Sequence, residues 1–106
     1  MTKIIFVQPD GTRQEVEANN GATIMEVALQ NSIKGIVGEC GGACTCATCH
    51  VYVDEKWAQK VGEPSIMEED MLDFASDVRD TSRLSCQVKV SDEFDGLLIH
   101  VPARQG

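Results

Sequence analysis

Apolar and polar positions alternate between two periods along this chain, and the switches between them mark its elements. "KIIFVQ" and "RQEVEA" read as two short strands joined by "PDGT", where Pro9 presets φ and Gly11 accepts the positive φ of a hairpin turn. In "TIMEVALQNS" the period lengthens. Thr23 and Glu26 form a capping-box pattern, and Ile24, Val27, Ala28 and Asn31 fall at helical spacing. Gly35 and Gly38 then interrupt regular structure. "HVYV" reads as a strand with Val51 and Val53 on one face and Tyr52 on the other. A second capping pattern, Ser65 to Glu68, opens "IMEEDMLDFAS", a helix expected to turn Ile66, Met67, Met71 and Leu72 inward and Glu68, Glu69 and Asp73 outward. "RLSCQVKV" alternates, with Leu84, Cys86, Val88 and Val90 on one face. "DGLLIHV" follows as an edge or partner strand. The sum is a mixed α+β arrangement.

Length adds that this is one domain, residues 1–106, because 106 residues suit one compact core and no repeat or linker divides them. The opening apolar run is too short for a signal peptide, and no stretch approaches the length of a membrane span. A cytoplasmic protein without membrane attachment is expected. In a reducing compartment, clustered cysteines point to metal or redox chemistry rather than disulfides, and an odd count of five leaves one over in any pairing. The net charge of -8 argues against nucleic acid and favours a basic partner surface.

Four of the five cysteines crowd into "GECGGACTCATCH", Gly38 to His50. Gly41 and Gly42 allow that loop to bend tightly and bring backbone N–H groups near a negative centre. Zinc sites usually present two close pairs, and only Cys46 and Cys49 form one here; on the residues alone zinc stays open. "CATCH" matches a c-type haem attachment string, but it leaves three cysteines unexplained and no axial ligand placed. A thioredoxin-like dithiol lacks its βα context, and His50 and His100 are not arranged for a Rieske centre. Beside such a loop, the inward-facing Cys86 reads as a further ligand rather than a small buried hydrophobe.

Cys40-x₅-Cys46-x₂-Cys49 with a distant Cys86 resembles the adrenodoxin and putidaredoxin (vertebrate-type) class of [2Fe–2S] ferredoxins, in a bacterial form. The plant-type spacing is one residue shorter, and no cysteine stands at position 41 to satisfy it. "CATCHVYV", "MEEDMLDFA", "SRLSCQ" and "DGLLIHVP" extend the similarity along nearly the whole chain.

The resemblance implies a β-grasp fold: a mixed sheet with a packed helix and a cluster-binding loop. It implies one [2Fe–2S] cluster held by Cys40, Cys46, Cys49 and Cys86, with Cys44 spare, a choice that spacing alone does not make. It implies an electron-transfer protein rather than an enzyme, without a substrate pocket, and most simply a monomer. Electrons would come from an NAD(P)H-dependent, FAD-containing ferredoxin reductase and pass to a cytochrome P450 or another acceptor. The alternative is a ferredoxin of the iron–sulfur assembly system, for which Cys44 speaks. His50 is expected to make a structural hydrogen bond, and Trp57 to pack near the acidic helix.

Nine of the seventeen acidic residues lie between Asp54 and Asp80, against three basic ones. In the resembled family this helix docks on basic patches. The expected partner contacts are therefore Glu68, Glu69, Asp70, Asp73 and Asp77, with Glu39 beside the cluster. One departure is the ending "PARQG", which lacks the aromatic residue some members use in partner contact.

Overall fold

A computed structural model describes residues 2–36, 49–75 and 77–103. Strands β1 (Thr2–Val7) and β2 (Arg13–Ala18) pair antiparallel, from Thr2 opposite Ala18 to Val7 opposite Arg13. Their turn closes through Gln8 N–H donating to the Thr12 carbonyl at 2.8 Å, with Gly11 at φ 91° as the turn requires. Further on come β3 (His50–Val53), β4 (Ser82–Leu84) and β5 (Leu97–His100). The sheet order is β2-β1-β5-β3-β4, so β5 is not an edge but the centre, parallel to β1 and antiparallel to β3. Its Leu97 and Ile99 are fully buried beside Ile4 and Phe6 of β1. All four residues of β3 are buried as well, so that strand is covered on both faces.

Helix α1 (Ile24–Gln30) carries the expected capping box in full. The Thr23 hydroxyl accepts from the Glu26 N–H, and the Glu26 carboxylate accepts from the Thr23 N–H. Ile24, Met25, Val27 and Ala28 join the core, whereas Asn31 ends the helix by donating its side-chain amide to the Val27 carbonyl. Helix α2 (Glu55–Val61), capped by Asp54, was not foreseen from the pattern: it buries no residue fully, so its apolar stripe is faint. Trp57 sits half-buried on it, packed against the core beside Gly96.

Two segments differ from the pattern read in the sequence. "RLSCQVKV" is not one strand: β4 stops at Leu84, and Ser85–Gln87 form a 3₁₀ turn. The chain then changes partner, with Val88 and Val90 carbonyls accepting from Ile24 and Gly21 and the Val90 N–H donating to Ala22. Leu84, Cys86, Val88 and Val90 are all buried even so, because turn and new pairing both keep them toward the core.

Helix α3 (Ile66–Leu72) is rotated from the expected phase. Its buried stripe is Glu68, Met71, Leu72 and the following Ala75, while Ile66 and Met67 lie in solvent. A helical stripe at i, i+3, i+4 and i+7 is present, but a carboxylate occupies its first position.

Gly35 fixes the approach to the cysteine loop. It adopts φ 91°, and a Cβ there would run into Val101 Cγ1. Gly35→Ala is therefore expected to cost about 2 to 4 kcal/mol, from a left-handed backbone and an overpacked contact together. Chemical denaturation would check this; an unchanged midpoint would mean that the Gly35 backbone relaxes away from Val101.

Candidate metal centre

Cys49 immediately precedes β3, and Cys86 lies just beyond β4, so the pairing of these two strands decides where both thiols go. His50 stands opposite Leu84 in the ladder. One step further, the Ser85 N–H and the Ser85 hydroxyl both donate to the Cys49 carbonyl, at 3.0 and 2.7 Å. This double tie forces the chain into the 3₁₀ turn that carries Cys86. Both cysteines are buried. The Cys86 thiol hydrogen-bonds that of Cys49, and this bond together with burial pushes the Cys49 thiol above its ordinary value. Two buried sulfurs this close are a soft donor pair suited to a metal centre, where a bound cation would remove the protons that burial retains.

The amide of Gln87 donates to Cys86 Sγ at 3.4 Å. Hydrogen bonds to a ligating sulfur reduce its electron donation and so raise the potential of a centre it holds. Ser85 and Gln87 were missed in the sequence, where nothing distinguishes them from ordinary polar positions of an alternating strand. The other expected ligands, Cys40 and Cys46, lie outside the described residues together with Cys44 and Glu39.

His50 is fully buried, with Nε2 2.8 Å from the Ser82 hydroxyl, and that same hydroxyl accepts from the Arg79 N–H. Burial first, and the nearby Arg79 guanidinium second, lower its pKa and favour the neutral imidazole. The Tyr52 ring meets His50 edge-on, its hydroxyl donates to the Asp77 carbonyl, and Arg79 stacks 4.3 Å above it. The residues from 77 to 82 are thus fastened to β3 next to Cys49, while the cluster loop that His50 is expected to tie to its neighbours lies, from residue 37 to residue 48, outside the described residues.

Of the expected partner contacts, Glu69, Asp70, Asp73 and Asp77 are exposed. Glu68 is not: it is 1% exposed, and its carboxylate accepts from Arg83 Nε at 2.7 Å, Arg83 Nη2 at 2.9 Å and the Leu84 N–H at 2.8 Å. The outward placement of Glu68 is corrected, and it leaves the set of surface contacts. Only half of its capping box forms. Ser65 accepts from the Glu68 N–H, but the Glu68 side chain is already committed to Arg83 and Leu84.

The model of the 2Fe-2S iron-sulfur cluster binding domain matches residues 7–91. The chain belongs to the [2Fe–2S] ferredoxins. Rhodocoxin of Rhodococcus erythropolis is 48% identical, with 99% of each chain covered. A crystal structure of a ferredoxin from Rhodopseudomonas palustris HaA2 superposes with a TM-score of 0.95 at 46% identity, covering 98% of this chain and 99% of that one. Putidaredoxin, crystallised in a covalent complex with putidaredoxin reductase, superposes with a TM-score of 0.93 at 42% identity, covering 97% and 100%. This ferredoxin has the β-grasp α+β fold of that putidaredoxin-like group, and it is an electron-transfer protein rather than an enzyme. One [2Fe–2S] cluster is its cofactor, and when bound it takes up and releases a single electron. Among the described residues, no helix is long and apolar enough to cross a membrane.

Proposed function

We propose that this ferredoxin, a single domain over residues 1–106, is a monomeric cytoplasmic shuttle. It takes electrons one at a time from an NAD(P)H-dependent, FAD-containing ferredoxin reductase and delivers them to a cytochrome P450 monooxygenase. Cys40, Cys46, Cys49 and Cys86 hold the cluster, and Glu39, Glu69, Asp70, Asp73 and Asp77 meet the partners. The observation that carries the reading is the solved complex of a 42% identical relative with its reductase. The exposed acidic residues of α3 and of the segment after it support it, since complementary charge accelerates encounter without requiring a long-lived complex. The acceptor is assigned from the likeness to rhodocoxin and putidaredoxin.

The test is stopped-flow mixing of the reduced ferredoxin with a substrate-loaded P450 of the same organism, at low and at high salt. Fast reduction is expected, slowing at least tenfold as salt screens the acidic face. No electron transfer to any such P450, alongside competent donation to a cysteine desulfurase and scaffold, would overturn the monooxygenase assignment in favour of cluster assembly.

A further inference from the structure

The outer face of α3 is not simply acidic. Ile66 is 79% exposed, Met67 63% and Phe74, in the turn after the helix, 71%. At 100° per residue Ile66, Asp70 and Met67 fall within one sector of about 100° on α3, with Glu69 to one side of it, and Asp73 and Phe74 follow in the turn that ends the helix. Three large exposed apolar side chains and three carboxylates thus share the segment from residue 66 to residue 74. Folding does not require this: Met71 and Leu72 of the same helix, and Ala75 after it, already meet the core. Clustered exposed apolar side chains within a polar rim mark an interaction surface, and Phe and Met are enriched at interface centres.

We propose that Ile66, Met67 and Phe74 are the apolar anchor of the docking site for the electron-donating flavoprotein reductase, within the rim formed by Glu69, Asp70 and Asp73. The partner surface this face fits has an apolar centre ringed by Lys and Arg. The inference rests on the shuttle reading and adds a division of labour. The carboxylates govern the rate of encounter, which salt weakens; the apolar triplet governs how long the complex lasts, which salt leaves alone. The reductase is chosen as occupant because a relative of 42% identity has been captured with its own.

Putidaredoxin reductase is the probe, with NADH and the cluster-loaded ferredoxin, in assays at 20 mM and 500 mM salt (roughly a threefold and a half-fold multiple of the ~8 Å Debye length at physiological strength). The variants are Met67→Ser with Phe74→Ser, Asp70→Asn with Asp73→Asn, and Leu29→Ser. Leu29 is an exposed apolar residue on α1, so its variant controls for loss of surface hydrophobicity alone. The Met67/Phe74 double variant is expected to raise KM for the ferredoxin about tenfold at both salts, equivalent to about 1.4 kcal/mol. The Asp70/Asp73 variant should raise it at low salt only and flatten the salt dependence, and Leu29→Ser should match wild type. A Met67/Phe74 variant with wild-type KM at both salts overturns the anchor while leaving the shuttle intact. Wild-type ferredoxin that the reductase cannot reduce overturns the shuttle reading itself. A wild-type dimer in sedimentation, dispersed by the Met67/Phe74 substitutions, would assign the face to a second copy of the chain and overturn the reductase as occupant.

Discussion

Glu68→Gln is expected to lower the melting temperature of the cluster-loaded protein by about 10 to 20 °C. The reason is the cost of an orphaned buried charge. In the native protein the Glu68 carboxylate accepts three hydrogen bonds, two from Arg83 and one from the Leu84 N–H, while Arg83 Nη1 donates to the Gly62 carbonyl at 3.0 Å. A neutral amide keeps the size of the side chain but removes the charge that balances the guanidinium. Breaking one side of a buried ion pair costs about 3 to 5 kcal/mol, a large share of the roughly 5 to 15 kcal/mol that holds a domain together. For a chain of this length that corresponds to a shift of the stated size.

The pair also joins the end of α2, the inner face of α3 and β4 at one point, three residues before Cys86, so the variant should lose its cluster faster on warming. The double replacement Glu68→Leu with Arg83→Met should recover part of the loss, because it removes both charges together but leaves the Leu84 N–H without its acceptor. Thermal melts followed in the visible band and by circular dichroism would show both effects. A single variant that melts within a few degrees of wild type would mean that water already compensates the pair.

Cys86→Ser is expected to abolish the cluster altogether, whereas Cys44→Ser should leave it at wild-type occupancy. Serine is nearly the same size but offers a hard, weakly acidic oxygen where iron–sulfur chemistry requires a soft thiolate. Its hydroxyl would also replace a sulfur that the structure holds against Cys49 and under the Gln87 amide. Iron and acid-labile sulfide analysis after reconstitution, together with the visible spectrum, reads the outcome directly. Cys86→Ser with two irons per chain, or Cys44→Ser with none, would reassign the ligands.

The elements whose sequence signals are local were legible. The β1–β2 hairpin and α1 follow from "PDGT" and the Thr23–Glu26 box because turn and cap chemistry act over four residues. Clustered cysteines of the right spacing carried the candidate cofactor, as soft ligands have few other uses in such a pattern. What failed to show was decided at long range. Ser65–Glu68 has the same local pattern as Thr23–Glu26, yet Arg83, fifteen residues downstream, draws the Glu68 side chain away and with it sets the rotation of α3. The break of "RLSCQVKV" at Ser85 likewise reflects the Cys49 carbonyl, thirty-six residues earlier in the chain. Helix α2 escaped notice because a helix that buries so little carries almost no periodic signal.

The central place of β5 governs when the protein can become competent during its synthesis. Within the sheet, the β1–β2 hairpin and the β3–β4 pair are joined only through β5. A two-stranded hairpin alone is marginal in water, so both halves wait on the ribosome to deliver residues 97–100. Every cysteine has left the ribosome before the scaffold that orders Cys49 and Cys86 can close. Loading of iron and sulfide is therefore an event of the finished sheet, and a chain truncated before β5 would leave its thiols open to whatever oxidant or stray metal reached them first.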